Sequence, residues 1–186
     1  MIVLLLSLSV FAEPIDPCAF NPATAVRHGG HTFPSADAFA STVVSYVPGP
    51  GVRDPHRDAS AALGPPDWHE GIGAVSLGNG KRRKAGLVLE FVGIYITDIP
   101  GPDLYVFEVG PLVERTEVAI SPDGETWTQL GAIHGSTRAI DIAPFGVSPD
   151  VHYRYLRLKN AGRPSRPPYA GADIDSVGAI GACRLP

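Results

Sequence analysis

The chain lacks a basic excess, a second long apolar run, any sustained helical stripe and every short catalytic signature. With 15 Lys and Arg against 19 Asp and Glu, and a net charge of −4, it has no cationic face of the kind that phosphate neutralisation requires. Nucleic acid is therefore not an expected partner. The one extended apolar run is Met1–Phe11, too short for the ~20 residues of a spanning helix. Followed by Ala12 and the polar pair Glu13-Pro14, it reads as an export signal over residues 1–12, although no Lys or Arg precedes the run. No other stretch is long and apolar enough to cross a membrane as a helix. The mature chain is expected outside the cytoplasm, secreted, periplasmic or held at the cell surface, as a monomer without a transmembrane segment.

Cysteine is equally scarce. Cys18 and Cys183 form an even pair, one near each end of the chain. In an oxidising compartment they are expected to form a disulfide that fastens the termini, which leaves no thiol for nucleophilic catalysis. A Gly-x-Ser-x-Gly elbow and a phosphate-cradling glycine loop are both missing. His69-Glu70 opens like a metalloprotease helix motif, but Gly73 stands where the second histidine is needed. No catalytic residues are assigned.

What the chain has is punctuation. Its 21 glycines and 19 prolines separate short β-branched and aromatic runs. Strands are expected near Val43–Val47, Ala74–Leu77, Gly86–Phe91, Tyr95–Thr97, Leu104–Val109, Thr116–Ser121, Thr126–Leu130, Arg138–Ile142, Tyr153–Leu158 and Ile174–Ile180. Tyr153-Arg-Tyr-Leu-Arg-Leu158 alternates apolar with charged positions, as half-buried strands do. Asp123-Gly124 supplies the positive φ of a tight hairpin turn, and Asp58 is placed to cap a short helical turn ending at Gly64. Residues 13–35, rich in Pro, Gly and His, read as an irregular segment ahead of a single domain over 36–183. The fold class is all-β, a two-sheet antiparallel sandwich of jelly-roll type.

Several blocks carry a resemblance: Asp58-Ala-Ser-Ala-Ala-Leu-Gly-Pro-Pro-Asp67, Gly101-Pro-Asp-Leu-Tyr-Val-Phe-Glu108, Ser121-Pro-Asp-Gly124 with Trp127, and Gly171-Ala-Asp-Ile-Asp175. Over Val43 to Ile180 the order resembles bacterial secreted or cell-surface modules often fused to a peptidoglycan-binding outer-membrane domain. More distantly it is similar to discoidin-type, galactose-binding-like domains. The resemblance implies a jelly roll that binds carbohydrate or another surface ligand through loops at one end, with a calcium ion holding those loops. The partner it implies is a cell-surface glycan or an envelope component. The turn at Asn79–Gly86 departs from the pattern, being longer and more basic.

On that pattern Asp67, Asp173 and Asp175, with Asp58 behind them, are the calcium candidates. The alternative reading is aspartates that cap turns. Trp68, in a loop beside Asp67, is the aromatic placed for sugar stacking, with His69 next to it, whereas Trp127 is expected in the core. Within Lys81-Arg82-Arg83-Lys84, Arg82 and Arg83 are candidates for gripping an anionic ligand, against the plainer reading of a solvated hairpin tip. His28 and His31 are expected as solvated loop residues, and Glu108 as a cross-sheet partner of Arg154 or Arg157. Three functions follow: a non-catalytic binding module, a scaffold for another envelope protein, or a polysaccharide hydrolase or lyase on the same fold.

Overall fold

A computed structural model describes residues 16–80, 85–110, 113–136 and 138–185. Residues 1–12, read from sequence as an export signal, and the basic tetrad that includes Arg82 and Arg83 lie outside them. The described chain is all-β, with antiparallel strands joined by loops and a few short 3-10 turns. In chain order the strands are β1 (Val26–His28), β2 (His31–Phe33), β3 (Thr42–Val47), β4 (Val75–Ser76), β5 (Gly86–Glu90), β6 (Ile94–Ile96) and β7 (Leu104–Glu108). They continue with β8 (Val113–Ser121), β9 (Thr128–Gly135), β10 (Ala139–Ile140), β11 (Tyr155–Asn160), β12 (Asp173–Ala179) and β13 (Ala182–Arg184).

Two sheets make the sandwich: a four-stranded one in the order β10-β7-β12-β4 and a five-stranded one in the order β3-β5-β11-β8-β9. The alternation of each strand decides what goes between them. From the five-stranded sheet come Leu87, Leu89, Val118, Ile120, Leu156 and Leu158; from the four-stranded sheet come Leu104, Val106, Ile174 and Val177. All belong to one buried apolar cluster.

The segment read as irregular carries a hairpin instead. β1 and β2 pair in register from Val26↔Phe33 to His28↔His31, and this hairpin covers the outer face of the four-stranded sheet. Phe33 packs on Phe39 with ring centroids 4.7 Å apart, and the His31 ring lies 4.9 Å from that of Tyr105. The two histidines are thus half-buried against aromatics rather than solvated. Covered on both faces, β12 is buried along nearly its whole length, as a strand between two layers must be. Gly178 makes the cover possible, since a Cβ there would sit 2.4 Å from the Phe33 ring.

Cys18 and Cys183 are disulfide-bonded, as the sequence leads one to expect. The bond joins the N-terminal segment to β13, which pairs with β6. The Arg184 N–H donates to the Pro17 carbonyl at 2.8 Å, and the Arg184 guanidinium covers the Phe20 ring at 4.2 Å.

Two local readings change. The Ser121–Gly124 turn keeps Gly124 at φ 78°, but β9 begins at Thr128. The Asp123 carboxylate accepts the N–H groups of Glu125 and Thr126, which widens a tight hairpin into a longer loop. Trp127 is half-exposed, with the Arg157 guanidinium 4.3 Å above its ring, because its outward position in the loop faces β11 instead of the core.

Candidate functional site

The loop between Gly64 and Ala74 is shaped by hydrogen bonds from β12. Asp175 Oδ1 accepts the backbone N–H groups of Asp67 at 3.0 Å and Trp68 at 3.2 Å, and the Ser176 hydroxyl donates to the Gly64 carbonyl. Beyond Trp68 the chain folds on itself: His69 and Ile72 exchange both backbone hydrogen bonds at 3.0 Å. The two residues between them, Glu70 and Gly71, have φ of 48° and 86°, the primed-turn geometry of a two-residue hairpin. Glu70 is the only non-glycine residue at positive φ among those described. A side chain there costs on the order of 1 kcal/mol, so the protruding turn is held against its own preference. It presents Trp68 at 44% exposure and Ile72 at 72%. His69 and Glu70 are both solvated at the tip, 3.7 Å apart.

Trp68 stands between two adjoining cavities. The larger, about 320 Å³, is lined by Trp68, Tyr105, Phe107, Glu108, Arg138 and Asp175. The smaller, about 220 Å³, is lined by His56, Trp68, Tyr169 and Asp173. Val109 and Gly110, where the chain leaves β7, form a wall common to both. The far wall is tied together by hydrogen bonds and a ring contact. Asn79 exchanges two hydrogen bonds of 2.8 Å with the Ser165 backbone, Ser165 Oγ donates to the Tyr169 carbonyl, and the Tyr169 ring lies 4.5 Å from that of His56.

Asp175 lines the larger cavity and Asp173 the smaller, the Glu108 carboxyl is turned inward between the sheets, and burial raises the pKa of each. Asp175 rises to about 6, opposed by the Asp67 and Trp68 amides that stabilise its charge. Asp173 is raised as well, although the Ser76 hydroxyl donates to it. Glu108, only 5% exposed, is driven furthest, first by desolvation and then by the neighbouring Glu114 carboxyl. Its Oε1 accepts the Glu114 N–H at 3.0 Å, while Oε2 is buried with no partner among the described residues. Burial and the neighbouring Glu114 carboxyl both favour the protonated form of Glu108. Arg138 Nη2 donates to the carbonyls of Glu108 at 3.3 Å and Gly110 at 2.8 Å, so part of its donor capacity is committed to the wall.

The four aspartates singled out as calcium ligands do not form one donor set. Asp58 caps its short turn, accepting the Ser60 N–H and hydroxyl; Asp175 holds the loop amides; Asp173 faces Ser76 in the other cavity. The acidic group whose ligand atoms lie within 4.8 Å of one another is Asp98, Asp103 and Asp141. There Asp103 is buried, and its two oxygens accept the N–H groups of Ile99 and Ile142, pinning the start of β7. Trp68 lines both cavities, Asp175 the larger and Asp173 the smaller, while Asp67 meets Asp175 through its backbone N–H.

Sequence reading missed Glu108, Tyr105, Phe107, Arg138, His56 and Tyr169. Glu108 was assigned to Arg154 or Arg157, but those arginines belong to the other sheet, where Arg154 meets Glu90 at 3.7 Å. The signal was present in Leu104-x-Val106-x-Glu108, which places a carboxyl on the inward stripe of a strand. An acid in that position has to be paired, neutral or functional. No protein-family model, no curated protein and no solved structure matches the chain.

Proposed function

We propose that the protein is a non-catalytic binding module of the extracytoplasmic space that seats a surface glycan in the cleft around Trp68. The observation that carries this reading is the half-exposed indole standing between two cavities whose floors bear carboxyls. A sugar offers an apolar face to a flat ring and hydroxyls to acceptors beside it. The strained turn at Glu70 and the Asp175 clamp support it, because both hold Trp68 out of the core. The Cys18–Cys183 bond fits an oxidising compartment. Titration with soluble oligosaccharides, read by tryptophan fluorescence and calorimetry, tests the proposal. Trp68→Ala is expected to abolish binding and Trp127→Phe to leave it intact, and retained affinity in Trp68→Ala would remove the site.

A further inference from the structure

We infer that the smaller cavity is a subsite for a protonated amino group, so that the saccharide preferred by the cleft carries a free amine in place of an N-acetyl or hydroxyl group. This rests on the glycan reading and names the chemistry that discriminates among glycans.

The cavity combines rings and a carboxylate. Trp68, Tyr169 and His56 line it, and Asp173 supplies the charge. Indole and phenol faces are electron-rich and attract an ammonium placed over them, most strongly where water is displaced. A carboxylate beside the rings adds a charge-assisted hydrogen bond that an N-acetyl group or hydroxyl cannot match.

The surroundings reinforce the sign. Glu114 adds negative potential at Asp173, an effect that the neighbouring His56 offsets in part. Arg138 belongs to the neighbouring cavity and donates there to the Glu108 and Gly110 carbonyls. Asp173 is desolvated, so an incoming cation restores interaction that the carboxylate lost on folding. At about 220 Å³ the space lies below the roughly 300 Å³ at which drug-sized sites begin. It suits one amino-bearing unit, with the adjacent sugar resting by Tyr105 and Phe107 across the shared Trp68.

Calorimetric titration of the disulfide-bonded protein near neutral pH and physiological salt provides the test. Three β-1,4-linked tetramers differ at one substituent: glucosamine, N-acetylglucosamine and glucose. The glucosamine tetramer is expected to bind about tenfold more tightly than the other two, a difference of about 1.4 kcal/mol. Asp173→Asn, which retains an acceptor for Ser76, is expected to erase the preference, bringing the glucosamine tetramer to the affinity of the glucose one. Asp150→Asn, an exposed acid lining neither cavity, is expected to keep the preference and so excludes bulk attraction. Should Asp173→Asn fold poorly, Tyr169→Leu at the half-exposed rim serves, weakening the glucosamine tetramer more than the glucose one. Equal binding of all three tetramers, or a preference that survives in both cleft variants, overturns the amine subsite and leaves the glycan reading standing. Binding of none overturns both.

Discussion

Asp175 holds Trp68 by its backbone: across 107 residues of sequence, one carboxylate oxygen accepts the Trp68 N–H at 3.2 Å and the neighbouring Asp67 N–H at 3.0 Å. The exposed indole is therefore fixed to β12, not left on a free loop. Asp175→Ala strands both donors in a partly buried position, at a cost of about 1–3 kcal/mol. Amide hydrogen exchange at residues 67 and 68 should accelerate in that variant and remain near the parent rate in Asp175→Asn, which keeps an acceptor oxygen. Unchanged exchange in Asp175→Ala would show that the loop is held by other contacts.

Stability should rise as the solution becomes moderately acidic. Asp103 and Asp175 have folded-state values raised from 3.8 to about 6, and Glu108 is raised further. The folded state therefore binds more protons than the unfolded chain. Their contribution is complete below the unfolded values near 4 and is lost as pH rises through about 6, with Glu108 extending the loss into the alkaline range. The melting temperature is expected to be several degrees higher at pH 5 than at pH 8, where each 1 kcal/mol corresponds to about 2–4 °C in a chain of this size. Glu108→Gln should flatten the dependence above pH 6. A melting temperature that climbs from pH 5 to pH 8 contradicts the assignment.

The bond between Cys18 and Cys183, separated by 165 residues, constrains nearly the whole unfolded chain. In the chain-entropy treatment such a loop contributes about 5 kcal/mol. The Cys18→Ser, Cys183→Ser double variant is expected to melt well below the parent, and a reductant should lower the melting point of the parent but not of the variant.

Gly178→Val tests the cover over the four-stranded sheet. The Phe33 and Phe39 rings occupy the space a Cβ would take, at 2.4 Å and 2.8 Å. Overpacking of this kind costs about 1–3 kcal/mol. Near-ultraviolet circular dichroism should show displacement of the aromatic stack together with the drop in melting temperature, and an unaltered spectrum with full stability would mean that the hairpin does not pack there.

All ten strands expected from β-branched runs and their Gly, Pro, Asn and Asp boundaries are present, shifted by at most a few residues. Local propensity and turn chemistry act over four to eight residues, so they are legible in order along the chain. The short turn capped by Asp58 was legible for the same reason. The β1–β2 hairpin was not. Its strands are three residues each, and they gain stability from aromatic contacts with β7 and β12 rather than from their own pattern.

By itself the sequence determined the all-β class, most strand positions, the capped turn and, through an even pair of cysteines one near each end, the disulfide. The tertiary structure decided which carboxyl does what. Asp175 clamps a loop, Asp173 faces rings, and Glu108 is turned inward beside Glu114, because sheet order puts β7 next to β12 and away from β11 and its Arg157. Charge state follows from desolvation and neighbouring charge, and both depend on which strands become adjacent, a property set here by pairing between residues about 70 positions apart.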